Sequence, residues 1–459
     1  MFAAASKRAQ AEKGPAMEAK TAQAVKGGLT PLWVAKLGNG LCSAVGGGDL
    51  LAAATADGVA FLNSADGAVA SKCDDDGLDD VPNVLAFASK GHVIHCGDDG
   101  CVRVVSAFGA LVQTHEIKEP PAEGKRPRTA PIDHAVALSG AGFAAAAGRV
   151  VHACRMTEAS SKARAPFALE HALQLEAPVR AMCAAPPGEE SWAYAIAFSS
   201  FVQLVASGAG EVVGRLSSER LLKSLSPAGH WLAAAATDGT VDLWDIAGEA
   251  DLASLADDPS TIAPRPADHV LRAYCGSDGA AIGWRSDGGA FAISGKRAAV
   301  FDFTGANNPH PYRPKGVAPT APGQPDSVPR ICMSDAVSRV AWAPPKRRLA
   351  GASSGIGATL AALNDALAEN LNSSELATVS DDGVVRLWDP HSPPLRKGGN
   401  GNPAEPHKMK PQFYTFVTHD AAHPSEEAKK PAALVWLRAD AVAVGYFCGD
   451  VVAWRVEER

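Results

Sequence analysis

The sequence predicts an all-β protein built from one repeated unit, and three observations support this. The 459-residue chain contains 44 Gly and 32 Pro, and turn-forming residues spread so widely are typical of many short elements. A pattern of small apolar residues, an Asp-Gly pair and an alternating run recurs along the chain. Hydrophobic residues make up 46% of the chain, which is enough to bury a sizeable core.

Eight copies of this pattern can be distinguished. The two clearest copies span residues 376–390 (LATVSDDGVVRLWDP) and 232–246 (LAAAATDGTVDLWDI). The weaker copies span residues 51–63, 93–105, 143–156, 194–207, 291–303 and 441–456.

Each copy predicts a β-hairpin. Alternation in VVRLW or TVDLW places every second side chain on one face of a sheet, and Asp-Gly is a strong signal for the tight turn between two strands. Strand-like segments precede several copies and place Trp284, Trp342 and Trp436 at equivalent positions. This gives three strands per copy, and we expect a fourth in the linker that follows. Because such a small sheet cannot bury both faces alone, the copies must stack.

The endings Leu387-Trp388-Asp389 and Leu243-Trp244-Asp245, after Asp-Gly turns, resemble the WD-repeat family. The resemblance covers nearly the whole chain, and it implies a β-propeller in which each repeat is a four-stranded blade. Eight copies predict eight blades, and seven, the commoner family number, is the alternative. Residues 32–35 (LWVA) are predicted to close the ring as the outer strand of the last blade, behind a disordered tail at 1–30.

The propeller is expected to span residues 31–459 as one domain. The Gly-His pair that opens many family repeats is missing from its usual place, because Gly229-His230 lies too close to Trp244. The buried hydrogen-bonded tetrad of the family is therefore not expected, and the blades should depend more on apolar packing. The pieces VFDFTG and AVGYFCGDVVAW are also similar to a WD-repeat group of plants, algae and cyanobacteria that is loosely linked to a proposed metal-chaperone GTPase.

Four insertions interrupt the regular spacing, at residues 115–131, 304–330, 346–374 and 391–411. The third is the most distinctive, because it carries an apolar stripe with the spacing of a helix. The stripe consists of Ile356, Leu360, Leu363, Leu367 and Leu371. Such a helix has no place in the ring, so it must dock either on the propeller or on a partner.

No cofactor or metal site is predicted. Residues 351–357 (GASSGIG) resemble a Gly-rich cofactor turn, but no buried parallel strand precedes them and no Tyr-x-x-x-Lys pair exists in the chain. His92 and His95 lie near Cys96 and Cys101, yet alternation places the two imidazoles on opposite faces of the strand. We expect these residues to be structural.

The composition favours an intracellular protein that binds other proteins. The net charge is −7, so direct nucleic-acid binding is not expected, and no apolar run is long enough to cross a bilayer. The nine scattered Cys indicate a reducing, cytoplasmic or nuclear compartment, and import into an organelle is the less favoured alternative. The predicted partner-binding residues are Lys125, Arg126, Arg128, Arg347, Arg348, Leu360, Leu363 and Leu367.

The predicted function is a non-catalytic scaffold or adaptor subunit, because no set of nucleophile, base and orienting group can be assembled from the sequence. Two alternatives remain. The first is a regulatory subunit of a nucleic-acid-processing complex, in ribosome assembly or RNA modification. It would be favoured if the two short basic runs, at residues 125–128 and 346–348, lay on one face of the disk. The second is a propeller enzyme or small-molecule binder, which would need acids or His converging at one end of the inner strands.

Overall fold

A computed structural model describes most of the chain between residues 29 and 456. The ranges it does not describe are 39–40, 42, 48, 74–83, 90, 121–127, 158–165, 187, 190, 219, 230, 247–268, 275–280, 286–287, 289, 296–298, 303–330, 333–336, 344–375, 382, 389–412, 416–429 and 439. The described residues form eight four-stranded antiparallel sheets and one two-stranded sheet.

The first four blades follow one another along the chain. Blade 1 contains β2 (Ser43–Gly47), β3 (Leu50–Thr55), β4 (Gly58–Asn63) and β5 (Val69–Cys73). Blade 2 contains β6 (Val84–Ser89), β7 (His92–Cys96), β8 (Cys101–Ser106) and β9 (Leu111–Glu116). Blade 3 contains β12 (Ile132–Leu138), β13 (Gly142–Ala147), β14 (Val150–Met156) and β15 (Phe167–Gln174). Blade 4 contains β16 (Ala181–Ala184), β17 (Tyr194–Ala197), β18 (Phe201–Val205) and β19 (Val212–Ser217).

The last four blades complete the ring. Blade 5 contains β20 (Leu222–Ala228), β21 (Trp231–Ala236), β22 (Thr240–Asp245) and β23 (His269–Tyr274). Blade 6 contains β24 (Ile282–Trp284), β25 (Ala290–Ile293), β26 (Ala299–Asp302) and β27 (Ile331–Cys332). Blade 7 contains β28 (Val337–Trp342), β29 (Leu376–Ser380), β30 (Val385–Trp388) and β31 (Phe413–Thr415). Blade 8 contains β32 (Pro431–Arg438), β33 (Ala441–Tyr446), β34 (Asp450–Val456) and β1 (Leu29–Lys36).

The first strand of every blade lies innermost, and these eight strands contact one another in a closed circle from β2 round to β32 and back. The eight sequence copies supply the two middle strands of the eight blades, as predicted. The ring closes where β1 pairs antiparallel with β34, from Leu29 opposite Val456 to Lys36 opposite Asp450. The predicted closure by the N-terminal segment is thereby confirmed.

The hairpins turn at the Asp-Gly pairs, as the sequence predicts. Gly239 and Gly100 adopt φ values of 82° and 76°, which side chains disfavour and glycine tolerates. In blade 5, Asp238 Oδ1 accepts a hydrogen bond of 2.9 Å from the Thr240 N–H, an Asx turn that fixes the hairpin. Such turns place one end of β22 next to the end of β21 and set their register.

The second strands explain the alanine content of the chain. The strands β3, β13 and β21 carry runs of three to four Ala, and these residues are almost completely buried on both faces. Each blade is covered on both sides by its neighbours, so both faces of the strand are apolar and small side chains let the sheets approach closely. The core is therefore a series of eight layers between blades rather than one central cluster.

The outer strands of four successive blades are held by hydrogen bonds from the following blade. In each case, the residue just after a β-bulge makes the contact. The pairs are Trp33 Nε1 with Ser64 O (3.2 Å), Ser71 Oγ with Ala107 O (2.7 Å), Gln113 with the Phe167 backbone (2.8 and 2.9 Å), and His171 Nδ1 with Gly208 O (2.8 Å). We refer to these four contacts as the rim clamps.

Two predicted boundaries need correction. The tail was predicted to end at residue 30, but β1 begins at Leu29. The insertion predicted at 115–131 begins later, because β9 continues through Glu116, and its two stems pair as a short hairpin of β10 (Lys118–Glu119) and β11 (Arg128–Thr129). The side chain of Ile117 between β9 and β10 is fully buried, and this anchors the base of the hairpin.

The antiparallel order gives the ring two distinct ends. Turns between second and third strands, such as those at Gly100 and Gly239, lie at the end that we call the Asp-Gly end, together with the links between blades. Connections between first and second strands, and between third and fourth strands, lie at the opposite end. Long connections leave from this second end at residues 246–268, 303–330, 343–375 and 389–412. We call it the insertion end.

The insertions 304–330, 346–374 and 391–411 lie outside the described residues, as does the predicted helix. Just after the last of these insertions, β31 pairs with β30 and supplies the outer strand of blade 7. In the part of the chain that the structure describes, no helix has the length and apolar character needed to span a bilayer.

Candidate binding site at one end of the ring

Three tryptophans mark the inner strands of three successive blades. Trp284, Trp342 and Trp436 lie on β24, β28 and β32 at equivalent register positions, near the strand ends that face the insertion end. The sequence placed them at equivalent positions, and the structure confirms that alignment. An aromatic arc therefore lines the channel side of blades 6, 7 and 8.

Each of these indoles is fixed by the blade that precedes it. The ring N–H donates to a backbone carbonyl on the neighbouring inner strand, in the pairs Trp284 with Ser226 (2.9 Å), Trp342 with Gly283 (2.8 Å) and Trp436 with Ala341 (3.0 Å). These bonds tie the inner strands of blades 5 to 8 in sequence. Because the N–H groups are used within the fold, the indoles offer only apolar edges and π faces to a ligand.

An open cavity of about 450 Å³ lies against this arc. It is formed by residues of the inner strands of blades 1, 6, 7 and 8, namely Ala44, Val45, Gly46, Trp284, Ala341, Trp342, Ala343, Leu434, Val435 and Trp436. We call this cavity the tryptophan mouth. Its volume is in the range of sites that hold a small molecule or a few side chains of a peptide.

Gly46 keeps the mouth open at the junction of blades 8 and 1. It holds the position in β2 that tryptophan holds in blades 6 to 8. A Cβ atom at Gly46 would lie 2.8 Å from Cγ1 of Val435, so a side chain here would crowd the wall. The aromatic arc therefore ends against a gap instead of a fourth aromatic ring.

The Asp-Gly end has a different character, because charged and polar side chains pair with one another there. Arg103 forms an ion pair of 2.5 Å with Asp99, and Ser218 Oγ donates to Asp242 at 2.8 Å. Burial opposes ionisation of Asp99, but the Arg103 guanidinium and the Cys101 N–H outweigh it and hold the pKa of the carboxyl below its usual value. These pairs stabilise the turns at this end of the ring.

Two histidines form a joint between blades 2 and 3. His115 Nε2 and His152 Nδ1 are 2.8 Å apart in a hydrogen bond, with the rings edge to face at 5.0 Å between centroids. Burial lowers the pKa of His115, and burial together with the neighbouring His115 lowers the pKa of His152 to about 4. Both imidazoles are therefore neutral at pH 7, and the pair serves as packing.

The Cys and His residues between positions 92 and 101 make packing contacts and hydrogen bonds within the fold. His92 hydrogen-bonds Ser89 and meets the ring of Phe167 edge-on at 5.7 Å between centroids, whereas His95 is completely buried in the strand. Cys96 lies in the core between blades 2 and 3. Among the described residues, no group of three or more His, Cys, Asp or Glu is arranged to hold a metal ion.

Three of the buried thiols are poor nucleophiles. Burial raises the pKa of Cys96 and Cys183 far above the usual range, and burial followed by the charge of Glu170 raises the pKa of Cys154 to about 12. A thiol held in the protonated form is unreactive. The described lining of the tryptophan mouth contains neither an acid nor a histidine, so this cavity is suited to binding.

Most of the predicted partner-binding residues lie outside the described residues, namely Lys125, Arg126, Arg347, Arg348, Leu360, Leu363 and Leu367. Arg128 is placed by its backbone in β11. The connections that contain the two basic runs are attached at opposite ends of the ring. The link from β9 to β12 leaves from the Asp-Gly end, and the connection from β28 to β29 leaves from the insertion end.

Sequence reasoning did not identify the tryptophan mouth. It aligned the three tryptophans, but their hydrogen-bond acceptors are backbone carbonyls 58, 59 and 95 residues earlier in the chain, and a backbone acceptor leaves no signal in the sequence. A useful signal was present nonetheless. Aromatic residues at one inner-strand position in three consecutive repeats, with Gly at the same position in the next, indicate a channel that is lined by aromatic rings on one side only.

The comparisons with known proteins agree with this architecture. The family model for the WD domain, G-beta repeat, matches residues 216–245, which reach from the end of blade 4 through β22. Among curated proteins, none matches the chain.

Solved structures share the fold at low sequence identity. Sqt1 from Chaetomium thermophilum is 15% identical, with a TM-score of 0.59, and the match covers 94% of this chain and 100% of that one. The same protein bound to the N-terminus of the ribosomal protein L10 is 14% identical over 93% of this chain and 99% of that one, with a TM-score of 0.59. BamB from Moraxella catarrhalis is 12% identical over 93% and 99% of the two chains, with a TM-score of 0.54.

These likenesses concern the fold, since all three identities are low. The repeat match is independent of them, because it rests on sequence and falls on one of the two clearest copies of the repeat. With eight four-stranded sheets closed into a ring among the described residues, the fold is a WD-repeat β-propeller.

Proposed function

We propose that this propeller is a non-catalytic scaffold or adaptor that binds other proteins through its insertion end. The tryptophan mouth is the observation that carries the proposal. It is a preformed apolar surface with three fixed indoles, and large aromatic side chains dominate protein-binding hot spots. It also lies at the end of the ring from which four long connections leave, so several partner contacts could be presented together.

The proposal includes the residues that the sequence singled out. In the connection from β28 to β29, Arg347, Arg348, Leu360, Leu363 and Leu367 would contribute to partner binding at the insertion end. Lys125, Arg126 and Arg128 would serve a second partner at the Asp-Gly end. Binding at both ends of a rigid ring is what a scaffold requires.

The likeness to Sqt1 supports a peptide segment as the form of the partner. Sqt1 is a propeller of similar size whose solved complex holds the N-terminus of a ribosomal protein. Segments of this kind bind by inserting a few side chains into a preformed surface. By analogy, a partner of this chain would place apolar side chains in the tryptophan mouth.

The two alternatives receive less support. Two basic runs on one face of the disk would favour a regulatory subunit of a nucleic-acid-processing complex. The connections that contain these runs, however, are attached at opposite ends of the ring. A propeller enzyme would need converging acids or histidines, and the described lining of the mouth has none. The narrower similarity to the plant, algal and cyanobacterial group, with its link to a GTPase, stays a prediction.

Affinity capture tests the proposal. The tagged chain would be recovered from native lysate beside two matched variants, Val435→Lys in the mouth and Val69→Lys on the exposed rim, and co-purifying proteins identified by mass spectrometry. We expect stoichiometric partners with the unsubstituted chain and the rim variant, and loss of at least one partner with the mouth variant. Thermal melting of all three chains controls for folding.

Two outcomes would count against the proposal. If the unsubstituted chain emerges alone, the scaffold function is wrong, and assays for bound metabolites or turnover come next. If a folded Val435→Lys chain retains every partner, the mouth is not the interface. A GTPase among the captured proteins would support the similarity to the plant, algal and cyanobacterial WD-repeat group.

A further inference from the structure

We propose that the connection between β28 and β29 places its own apolar stripe in the tryptophan mouth, as an intramolecular ligand that a partner must displace. The inference rests on the proposed function, because it assigns the regulation of the same site. Three observations carry it: the chemistry of the mouth, the points where the connection leaves and rejoins the fold, and the pattern of its sequence.

The chemistry of the mouth defines its occupant. The described lining consists of Ala, Val, Leu, Gly and Trp, with no charged side chain. All three indole N–H groups already donate to backbone carbonyls. A charged or strongly polar occupant would lose its hydration without compensation here, so the occupant is apolar, and a row of aliphatic side chains suits it.

The connection begins and ends beside this cavity. It leaves the fold immediately after Ala343, which lines the mouth and is 5% exposed. It rejoins the fold at Leu376, which is fully buried and is the register partner of Trp342. A ligand tethered at both sides of its own site has an effective concentration in the millimolar range.

The sequence of the connection matches the mouth. Five aliphatic residues from Ile356 to Leu371 recur at spacings of four, three, four and four, which is one apolar stripe. The chain from residue 344 to 355 spans roughly 40 Å when extended, so the stripe reaches the cavity easily. The other long connections at this end fit less well, because 303–330 is Pro-rich, 389–412 is basic and Gly/Pro-rich, and 246–268 has no such row of five regularly spaced aliphatic residues.

The test uses the full chain with the stripe made polar. The variant L360S/L363S/L367S would be compared with the unsubstituted chain for binding of a labelled peptide of residues 351–374, followed by fluorescence anisotropy. We expect the peptide to bind the variant at least ~10-fold more tightly, because the tethered competitor is lost. A scrambled peptide of the same composition should bind neither chain.

A cross-link locates the bound peptide. With a benzophenone side chain at position 363, irradiation should give adducts at Trp342, Leu434 or Trp436. If the L360S/L363S/L367S chain melts at a clearly lower temperature, a second variant in which a Gly-Ser linker replaces residues 346–374 takes its place. Equal affinity for substituted and unsubstituted chains, absence of binding, or adducts confined to other surfaces would each overturn the proposal.

This result is separable from the proposed function. Partner capture by the unsubstituted chain reports on the scaffold, whereas peptide binding reports on the occupant. If the peptide cross-links to the mouth but no partner is ever captured, the intramolecular ligand stands and the scaffold fails. If partners are captured through the mouth but the peptide does not bind, the scaffold stands and this inference is wrong.

Discussion

Two tryptophans at the same place in two blades differ by one hydrogen bond. In blade 7, the buried indole N–H of Trp388 donates to Thr378 Oγ1 at 2.9 Å. In blade 5, the residue that corresponds to Thr378 is Ala234, and the buried Nε1 of Trp244 has no hydrogen-bond partner. The sequence predicted that the polar tetrad of the family would be incomplete, and blade 5 shows the cost, since an unpaired buried N–H destabilises by about 1–3 kcal/mol.

We expect Ala234→Ser to stabilise the protein by about 0.5–1.5 kcal/mol, because the new hydroxyl supplies the acceptor that Trp244 lacks. The isosteric change Thr378→Val should do the opposite, because it removes the acceptor from Trp388. Denaturation midpoints in urea, followed by tryptophan fluorescence, give both shifts. An unchanged or lower midpoint for Ala234→Ser would show that packing around the Ala, and not the missing bond, limits blade 5.

The joint between His115 and His152 predicts acid sensitivity. The pKa of His152 is about 4 in the folded chain and 6.5 in the unfolded chain, so the unfolded state binds more protons between these values. Stability is therefore fully present above pH 6.5 and declines as the pH falls towards 4, by less than the full pKa difference implies, because solvent screens this half-exposed residue.

Melting temperatures measured from pH 7.5 to 4.5 test this prediction. The variant His152→Gln keeps a hydrogen-bonding group but does not titrate, so its melting temperature should fall less steeply below pH 6.5. Identical slopes for the two chains would mean that His152 does not contribute to the acid sensitivity.

At the level of elements, the rim clamps tie the outer strands of four blades to the blades that follow them. The clamp between blades 3 and 4 is the most elaborate. The turn that follows β18 presents Gly208 and Gly210 to the outer strand β15, where His171 also accepts or donates a hydrogen bond of 2.7 Å with the Tyr194 hydroxyl. The Gly208 N–H donates to Glu170 at 3.0 Å.

The two glycines of this turn form a matched pair for testing the clamp. Both have positive φ, 79° at Gly208 and 73° at Gly210. A Cβ at Gly208 would meet nothing within 4 Å, but a Cβ at Gly210 would lie 2.4 Å from Cδ2 of His171. We expect Gly208→Ala to cost about 1 kcal/mol from backbone strain alone, and Gly210→Ala to cost clearly more, because the imidazole must move away from Tyr194.

Denaturation midpoints compare the two variants, and NMR signals of the His171 ring show whether it has moved. Equal losses of stability would indicate that His171 yields without cost, and that this clamp is not a constraint.

The clamp between blades 2 and 3 predicts a local effect. Gln113 both donates to the Phe167 carbonyl and accepts from the Phe167 N–H, so Gln113→Ala should destabilise by about 1–3 kcal/mol. Amide hydrogen exchange should accelerate in β9 and β15 and not in blade 5. The control is Leu111→Ala on the same strand, where the side chain is 43% exposed. Uniform acceleration throughout the ring would argue against a local clamp.

The elements themselves could be predicted because their signals are local. Asp-Gly pairs, alternation and aligned tryptophans identified the hairpins, and the segment around Trp33 was assigned to ring closure. The rim clamps were not predicted, since they use a different residue type in every blade and join backbone groups to side chains far away in the chain. The tryptophan mouth was missed for the same reason, as the carbonyls that fix its indoles have no sequence signature.

For the whole molecule, closure by β1 removes the edge that β34 would otherwise expose. Unpaired edge strands promote association with other chains. Removing residues 1–28 leaves β1 intact, so we expect that truncated chain to remain monomeric with a melting temperature close to that of the full chain. Removing residues 1–36 should lower the melting temperature markedly and produce aggregates.

Size-exclusion chromatography and thermal melting distinguish the two truncations. If the chain lacking residues 1–36 is as stable and as monomeric as the chain lacking residues 1–28, then closure by β1 contributes little, and the apolar contacts between blades suffice to hold the ring.

The same pairing also sets an order in time during synthesis. The strand β1 is synthesised well before its partner Asp450–Val456. At ~5–20 residues per second, β1 waits for tens of seconds with its backbone groups unpaired. Seven blades can form meanwhile, but the eighth is completed only when residues 450–456 have also left the ribosome. A pause in translation between the two strands therefore prolongs the interval in which neighbouring nascent chains can exchange β1.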